Sequence, residues 1–382
     1  MEEKDRIVET FRGRTVFITG GTGFLGKLLI EKLLRCTEVK KIYMLIRGKK
    51  GKAAQERLND IFANAVFDLL RAQNPASLQK CRVIPGDISR EGLAVSSEHR
   101  LLLQKEIDFV YHLGASTRFD DSVKTAVKFN TRSTKLLLDL AHGCEKLQIF
   151  VHVSTAYAFP KEELLHEKSY KAPTDPHRIL AAIDSSTDEE CETLMEDSPN
   201  TYTFSKALAE ELVTEQMEVL PAIIVRPSVV CPTWNEPLPG WCNNLQGPMG
   251  LFVGAGKGII RSMYMKGDSH ADFIPADLVV TGLLIASWNY LNNSKNLYQI
   301  QRRIQKGSEL FEYYTTKNWN FSNSKTAEVA EKMNAKEREI YKIAGEGFDL
   351  KEYLRTCMIC SRRNILKEPD STLPAARRHM TM

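Results

Sequence analysis

Tyr202 and Lys206 stand four residues apart in the run Thr201-Tyr-Thr-Phe-Ser-Lys206. On a helix, this spacing puts both side chains on one face. A phenol can donate a proton to an oxygen on which negative charge develops, but its ordinary pKa near ~10 makes the unaided group slow to exchange at neutral pH. A neighbouring lysine ammonium favours the phenolate and narrows this gap. The pair therefore predicts general-acid chemistry, with both side chains as catalytic residues.

A hydroxyl that orients a reacting carbonyl group is predicted at the end of the strand 149–154. Such a group would share the negative charge that develops on the carbonyl oxygen. Ser154 and Thr155 both stand there, and their positions ahead of Tyr157 favour Thr155 as the donor, with Ser154 as the alternative. Because no cysteine stands beside a general base, a covalent thioester mechanism is disfavoured.

A glycine-rich turn, Thr19-Gly-Gly-Thr-Gly-Phe-Leu-Gly26, follows the predicted strand 15–19 and precedes a predicted helix. Its glycines stand where a backbone turns sharply, approaches a pyrophosphate and packs a helix against a strand. A helix that begins there presents free N–H groups to phosphates. The turn predicts a bound dinucleotide; a tight strand–helix turn without a ligand is the alternative. Hydride transfer from a nicotinamide and a proton from Tyr202 would then reduce a carbonyl group.

The residues after the second predicted strand, 41–46, indicate which dinucleotide binds. NAD sites usually carry an acidic residue there, which binds the ribose 2′-hydroxyl. Here the strand is followed by Arg47, Lys49 and Lys50. Cations suit a 2′-phosphate, so the sequence predicts NADPH.

Loops after other strands complete the predicted cofactor site. Asp87 could reach the adenine, and Leu113-Gly-Ala115 could line the pyrophosphate and ribose. An aspartate that starts a helix and ordinary packing of a turn are the alternatives for these two segments. The predicted cofactor site comprises Thr19, Gly20, Gly23, Phe24, Leu25, Gly26, Arg47, Asp87, Ile88, Leu113, Gly114, Ala115, Asn130, Tyr202, Lys206, Pro227 and Val229.

Short apolar runs alternate with helical patterns along the first 230 residues. This alternation, without tight hairpin signals, predicts an α/β fold with a doubly wound parallel sheet of Rossmann type. The predicted strands are 15–19, 41–46, 82–84, 108–113, 149–154 and 222–226, and the predicted helices include 24–34, 58–70, 126–140 and one that begins near 202. Residues 161–199 are predicted to be an insertion beside the site, 232–258 a substrate-side loop region with a flexible turn at 254–258, and the chain from about 300 a smaller, mostly helical domain.

Composition excludes several functional classes. The 52 basic and 48 acidic residues give a net charge of +4, too balanced to argue for nucleic acid. The eight cysteines are scattered, so we expect neither a disulfide framework nor a metal site, and a reducing compartment. The apolar stretch 278–291 contains polar residues and falls short of the ~18–20 residues of a membrane span. The basic tail, which includes Arg377 and Arg378, would suit an anionic membrane surface as well as solvent.

Several long segments carry a family resemblance. They are Val16–Gly26, Val110-Tyr-His-Leu-Gly-Ala-Ser116, Val151-His-Val-Ser-Thr-Ala-Tyr157, Tyr202–Lys206 and Ile224-Val-Arg-Pro-Ser228. They resemble the extended short-chain dehydrogenases/reductases and, within these, the alcohol-forming fatty acyl-CoA reductases. The resemblance covers nearly the whole chain: 240–248 and 272–277 resemble this family more than sugar-nucleotide epimerases, and 318–321, 366–369 and 373–377 resemble its C-terminal domain.

This resemblance implies NADPH-dependent reduction of a long-chain fatty acyl-CoA to a primary alcohol, through a hemithioacetal and an aldehyde, with release of CoA. Tyr202 would be the acid, Lys206 its partner and a ribose ligand, and Thr155 or Ser154 the oxyanion donor. A reductase domain would span 12–290, with substrate loops at about 231–275, and a shortened helical domain would span 300–382. Chain-length preference and oligomeric state are not indicated.

Two departures from the family are expected. Relatives usually have a longer apolar segment between Asn289 and Phe311, and they usually run on into a hydrophobic anchor beyond the position of Met382. We expect the reductase domain to fold, with a less completely closed acyl tunnel and weaker membrane attachment. The resemblance implies a place on peroxisomal or endoplasmic-reticulum membranes, facing the cytosol. Because this sequence shows no evident transmembrane segment, a cytosolic or peripheral location is expected instead, with peripheral membrane association as one form of it.

Two alternative functions stay open at this point. One is another extended reductase or epimerase, which would act on a nucleotide sugar. The other is a catalytically impaired splice form that binds NADPH without turnover. Incubation with palmitoyl-CoA and NADPH would separate these alternatives from the leading interpretation.

Overall fold

Six parallel strands form the central sheet, in the order β3-β2-β1-β4-β5-β6. In chain order they are β1 Thr15–Thr19, β2 Lys41–Ile46, β3 Cys81–Pro85, β4 Phe109–His112, β5 Ile149–Val153 and β6 Ala222–Val225. The strand order changes direction between β1 and β4, which is where an open α/β sheet binds its ligand. The predicted doubly wound parallel sheet is confirmed.

The structure is a computed structural model. It describes residues 5–49, 51–195, 198–244, 247–263, 271–293, 324–335, 349–364 and 368–380. The chain divides into two compact units, residues 1–303 and 304–382.

Helices cover both faces of the sheet in the first unit. In chain order they are α1 Arg6–Phe11, α2 Phe24–Cys36, α3 Ala54–Phe62, α4 Asp68–Gln73, α5 Ser97–Glu106, α6 Val123–Ala126, α7 Ser133–His142, α8 Pro176–Ala182, α9 Asp188–Thr193, α10 Thr201–Gln216, α11 Pro248–Gly256 and α12 Ala276–Asn293. Val16 and Ile18 of β1 pack into a cluster with α2 and α12, whereas Phe17 packs into another cluster with α5, α7 and α10. Because both faces are covered, all five residues of β1 are buried, which explains its continuous apolar sequence.

Two predicted helices differ in the structure. The prediction of one helix over 58–70 was wrong, because α3 ends at Phe62 and α4 begins at Asp68. Asn64 lies between them, and its side chain accepts a hydrogen bond from the Val66 N–H, which starts a separate turn and competes with the helix. The predicted helix 126–140 contains a π-helical stretch, Val127–Arg132, between α6 and α7.

The substrate-side region is more ordered than predicted. The prediction of loop structure throughout 232–258 was wrong, because α11 occupies 248–256, with Pro248 at a first-turn position where its fixed φ favours a helix. The expected flexible turn at 254–258 is instead the end of this helix, followed by Gly258 at φ +68°. A small parallel pair, β7 Val229–Cys231 and β8 Phe273–Pro275, was not predicted.

The described part of the second unit is helical. It contains α13 Ser324–Glu331, α14 Leu350–Asn364 and α15 Leu373–Met380, and α15 includes the family-like segment 373–377. The segment 318–321 and residues 294–311 lie outside the described residues. The eight cysteines are free. Across the described ranges, we find no cluster of residues suited to a metal ion and no helix with the length and apolarity to span a bilayer.

Candidate active site

The glycine-rich turn lies at the carboxyl end of β1 and leads directly into α2. Gly20 has a φ of +73°, and a Cβ at this position would come within 2.6 Å of the Gly114 nitrogen. A Cβ at Gly26 would overlap the Gly20 carbonyl oxygen. Gly23, which precedes α2, makes no side-chain cap to the first helical N–H groups. These groups are available to a phosphate, so the turn fits the pyrophosphate of a dinucleotide.

A cavity of about 980 Å³ opens beside this turn. It brings together the turn and the four predicted catalytic residues, although the two groups are far apart in the sequence. Of the predicted residues, those that line it are Gly20, Gly23, Phe24, Leu25, Gly26, Leu113, Ala115, Ser154, Thr155, Tyr202, Lys206, Pro227 and Val229. The cavity can therefore hold a nicotinamide end and a substrate next to the same phenol.

Helix α10 positions Tyr202 and Lys206. Asn200 caps the helix, because its side chain accepts a hydrogen bond from the Thr203 N–H at 2.9 Å. Tyr202 consequently lies in the first turn and Lys206 one turn later, and both line the cavity. The predicted shared face is what the structure shows.

The buried Ser205 fastens this helix to the π-helical stretch. Its hydroxyl donates to the Tyr202 carbonyl oxygen at 3.0 Å and accepts from the Asn130 side-chain amide at 2.9 Å. The Thr131 hydroxyl donates to the Ser205 carbonyl oxygen at 2.9 Å. Asn130 also bonds both backbone groups of Ser116, which lines the cavity. The π-helical stretch therefore connects the catalytic helix to the loop after β4.

Burial raises the pKa of Tyr202, and a hydrogen bond with the Thr155 hydroxyl offsets part of this effect. The prediction that the pKa of Tyr202 lies closer to neutrality than that of a free phenol was wrong, because its net shift is upward. The Lys206 ammonium instead donates to the Val153 carbonyl oxygen at 2.8 Å, and desolvation dominates at the phenol. Tyr202 is therefore protonated at neutral pH, which is the form that donates a proton.

Lys206 is only 3% exposed. Burial lowers its pKa to about 8, while the nearby Glu210 carboxylate acts in the opposite direction. The ammonium therefore titrates close to neutral pH. His112 and His152, at paired positions of β4 and β5, lie behind it; burial, followed by the charge of Lys206, holds the pKa of both imidazoles well below the ordinary value.

The two candidate oxyanion donors differ in their contacts. The Thr155 hydroxyl bonds Tyr202 and accepts from the Tyr157 N–H at 3.2 Å. The Ser154 hydroxyl is buried and has no hydrogen-bond partner within the part of the chain that the structure describes. The geometry places Thr155 against the phenol, in agreement with the preferred assignment.

A second cavity, of about 230 Å³, adjoins the glycine turn at the ends of β2 and β3. Arg47 and Lys49 line it, as do the predicted Asp87, Ile88 and Gly114; Lys50 lies outside the described residues. Arg47 also contacts Asp87, with 3.4 Å from its Nη1 to the carboxylate. Partial burial opposes ionisation of Asp87, but hydrogen bonds from Ser89 and the Arg47 charge outweigh it and lower the pKa of this carboxyl group.

Arg57 is a cationic residue of the second cavity that the sequence interpretation missed. It extends from α3, and its Nη1 donates to the Arg47 carbonyl oxygen at 2.6 Å. Burial and, less strongly, the charge of Arg47 lower the pKa of Arg57. No spacing rule connects a residue on α3 with the end of β2, so no sequence signal marked it.

Two predicted cofactor residues, Thr19 and Asn130, line neither cavity. Thr19 is buried; its hydroxyl accepts from the Gly114 N–H at 3.2 Å and pairs with the His112 Nδ1 at 2.7 Å. Both side chains thus hold together the loops that form the cavities.

Two family models with the description "Male sterility protein" match the chain. The NAD-binding model matches residues 18–283, and the Sterile model matches residues 272–368. Together they cover the glycine turn, the predicted catalytic residues and most of the second unit.

Curated relatives match over most of the chain. Fatty acyl-CoA reductase 1 of Xenopus laevis is 32% identical over 457 aligned positions, which cover 98% of this chain and 89% of the relative. Fatty acyl-CoA reductase 1 of Gallus gallus is 40% identical over 297 positions, covering 76% of this chain and 58% of the relative. Because 457 aligned positions exceed the 382 residues of the chain, the Xenopus relative contains internal segments that this chain lacks.

A solved structure with the same fold is the terminal R domain from the myxalamid PKS-NRPS biosynthetic pathway. Its TM-score is 0.55 at 26% identity, over 72% of this chain and 62% of that domain. The two chains therefore share an overall fold.

Proposed function

The chain belongs to the fatty acyl-CoA reductase family of the extended short-chain dehydrogenases/reductases, and on that premise we propose that it reduces long-chain fatty acyl-CoA to primary fatty alcohol with NADPH. It is an oxidoreductase with a nicotinamide-binding domain. The observation that carries the proposal is that Tyr202, Lys206 and Thr155 line one cavity with the glycine-rich turn.

The residues that would hold NADPH fall into two groups. Gly20 and Gly26 allow the tight backbone contacts of the turn, because a Cβ at either position would meet neighbouring backbone atoms. The turn would then hold the pyrophosphate at the start of α2. Arg47 and Arg57 would hold the 2′-phosphate in the second cavity. When bound, NADPH supplies the hydride equivalents, two for each acyl group.

The side chains of the large cavity would bind the carbonyl oxygen of the substrate and supply the proton that it receives. Thr155 would orient the thioester carbonyl oxygen, and Tyr202 would donate its proton to that oxygen when one hydride equivalent adds to the carbonyl carbon, which gives a hemithioacetal. Loss of CoA as its thiol leaves an aldehyde. After Tyr202 has regained a proton from solvent, it would protonate the aldehyde oxygen in the same position as the second hydride equivalent adds, which gives the alcohol. The Lys206 ammonium stabilises the phenolate that each proton donation leaves.

The domain assignment and the location belong to the same proposal. We assign the reductase domain to 12–290 and the shortened C-terminal domain to 300–382. Peripheral membrane association is supported by the basic tail, which includes Arg377 and Arg378, and by a substrate that itself partitions into lipid. Co-sedimentation of the full chain with anionic and with neutral vesicles tests this part separately.

Product analysis tests the reaction. The full chain is incubated with palmitoyl-CoA and NADPH, and hexadecanol, hexadecanal and free CoA thiol are quantified beside NADPH oxidation. We expect alcohol with two NADPH consumed for each CoA released. Tyr202→Phe should abolish turnover while the NADPH affinity, measured by fluorescence titration, stays nearly normal. NADPH oxidation with nucleotide sugars but none with acyl-CoA would refute the proposal.

A second candidate, a form that binds NADPH without turnover, is supported by the internal segments that the Xenopus relative has and this chain lacks. Their position, predicted between Asn289 and Phe311, stays a prediction. Insertion of the corresponding relative's segment there tests it: turnover that appears only after insertion would favour this candidate, whereas equal turnover with and without the segment would exclude it.

A further inference from the structure

A buried ion pair lies one helical turn beyond Lys206. Tyr202, Lys206 and Glu210 follow one another at intervals of four on α10, so the three side chains share a face. The Glu210 side chain is 1% exposed, and the Arg226 side chain, directly after β6, is 12% exposed. The pair is thus positioned behind the proposed catalytic residues and outside the residues that line the cavity.

Arg226 holds the carboxylate in a fixed orientation. Its Nε lies 3.0 Å from both Glu210 oxygens, and its Nη2 donates to Oε2 at 2.6 Å. The remaining nitrogen, Nη1, donates to the carbonyl oxygen of Lys168 at 3.0 Å and is 3.4 Å from that of His166. The guanidinium also packs on the rings of Phe159 and Tyr170. A buried carboxylate requires this kind of compensation.

The surroundings of Lys206 explain how the Glu210 carboxylate can affect the reaction. The ammonium is buried, and its hydrogen bond is to one backbone carbonyl group, that of Val153. On its other sides lie the neutral phenol of Tyr202 and the imidazoles of His112 and His152, whose lowered pKa values leave them uncharged at neutral pH. Glu210 is the group that acts on Lys206 with negative charge.

We propose that Glu210 and Arg226 are a positioning pair for the reaction: the Glu210 carboxylate keeps the buried Lys206 protonated, and Arg226 holds that carboxylate in place. The inference rests on the proposed function for the role of Lys206. Neither residue lines the cavity that would hold substrate and cofactor. Their effect passes through the charge of the lysine, and the contacts with 166–168 connect it to the insertion.

The pH dependence of kcat/KM tests the inference, because it reports groups of the free enzyme. Glu210→Gln removes the negative charge and should move the alkaline limb to lower pH by about one unit, the lower end of the effect of an opposite charge at this range. The double variant Glu210→Gln/Arg226→Gln removes both charges of the pair, so neither member is left as a buried ion without the other. Its limb should lie between those of the wild type and the single variant, and it keeps the test available if the single variant does not fold.

Glu211→Gln is the matched control, because it makes the same charge change at the next position of α10, where Glu211 accepts a hydrogen bond from the Ala172 N–H at 2.7 Å. In Glu211→Gln, the alkaline limb of the pH dependence of kcat/KM should stay at the wild-type pH. Glu210→Asp keeps the negative charge and should return this limb to the wild-type pH. A uniform loss of kcat/KM at all pH values, with the limb unmoved in both Glu210→Gln and the double variant, would overturn the inference and leave a structural role only.

A second readout separates this inference from the reaction itself. NADPH affinity is titrated by fluorescence between pH 6 and 9, without acyl-CoA. If Lys206 contacts the cofactor ribose, affinity should fall along the same limb, and Glu210→Gln should move that fall to lower pH. If the wild-type affinity does fall along that limb, an unchanged affinity profile in Glu210→Gln would contradict the inference. Absence of NADPH binding by the wild type would instead contradict the proposed function.

Discussion

The hydroxyl of Thr155 is hydrogen-bonded to the phenol of Tyr202. The bond joins the end of β5 to the first turn of α10 and so brings two oxygens to one wall of the large cavity. A carbonyl oxygen between them would receive two O–H donors, one that stays and one that gives up its proton. Ser154, the adjacent residue, has a buried hydroxyl without such a contact among the described residues.

We therefore predict that Thr155→Val, which keeps the shape of the side chain, lowers kcat about 10²–10³-fold, as loss of an oxyanion donor does. Thr155→Ser should retain most activity. Ser154→Ala is the matched control and should change kcat less than about fivefold. The measurement is steady-state oxidation of NADPH with palmitoyl-CoA; a larger loss in Ser154→Ala than in Thr155→Val would reverse the assignment of the donor.

The cationic side chains of the second cavity predict that the protein prefers NADPH to NADH. Arg47→Asp should weaken NADPH binding about 10–100-fold, because a charge-assisted contact with the 2′-phosphate is replaced by repulsion, and should affect NADH much less. Arg57→Gln should weaken NADPH binding in the same direction if it forms the other half of the phosphate site.

Lys52→Gln is the control for both variants, since Lys52 is exposed, pairs with Asp60 and does not line the cavity. Dissociation constants for NADPH and NADH are compared by fluorescence titration. Equal losses for the two cofactors would place the 2′-phosphate elsewhere.

The buried Lys206 is expected to lower the stability of the folded protein although turnover requires it. Its folded-state pKa, about 8, is below the ordinary lysine value of 10.5, so the folded state binds this proton less tightly than the unfolded state. The destabilisation is absent above pH 10.5, grows as the pH falls towards 8 and is complete below 8, where it amounts to about 3 kcal/mol. Lys206→Met should therefore stabilise the NADPH-free protein by about 1–3 kcal/mol at pH 7, after loss of the bond to Val153, and should abolish turnover.

Urea unfolding at pH 7 and pH 10 measures this effect, and the gain should shrink at the higher pH. Lys135→Met should show no comparable gain, because the Lys135 side chain is 45% exposed and pairs with Asp139. A Lys206→Met protein that is less stable than the wild type at pH 7 would show that packing around the aliphatic chain outweighs desolvation of the charge.

The buried imidazole of His152 predicts that the folded protein loses stability in acid. Neither ring nitrogen has a partner among the described residues, and the pKa is held well below 6.5, first by burial and then by the charge of Lys206. The unfolded state takes up this proton as the pH falls through about 6.5, so stability falls with it. His152→Leu should unfold at higher urea concentration than the wild type, and the difference should widen from pH 7.5 to pH 5.5.

His99→Gln is the comparison, because His99 is only partly buried and pairs with the Ser96 hydroxyl. It should follow the wild-type pH dependence. If the His152→Leu and wild-type curves stay parallel between pH 7.5 and pH 5.5, protonation of His152 does not contribute to acid sensitivity.

Local sequence patterns were sufficient to predict the strands, the turn and the helix that position the site. The bounds predicted for β1 and β2 are those of the structure, because strands buried on both faces are continuous apolar runs. The glycine turn and the start of α10 were also readable, since a glycine at positive φ and a capping asparagine act within a few residues. Where a short-range side-chain bond intervened, as at Asn64, the predicted helix was wrong.

By itself, the sequence determined the doubly wound sheet, the turn that suits a dinucleotide and the shared face of Tyr202 and Lys206, because each depends on residues close together in the chain. Tertiary structure alone decided that Lys206 is buried against Val153, that Thr155 contacts Tyr202 and that Arg57 joins Arg47. It also decided that Arg226 holds Glu210. The physical reason is that desolvation and charge pairing depend on distances between elements that only the folded sheet brings together.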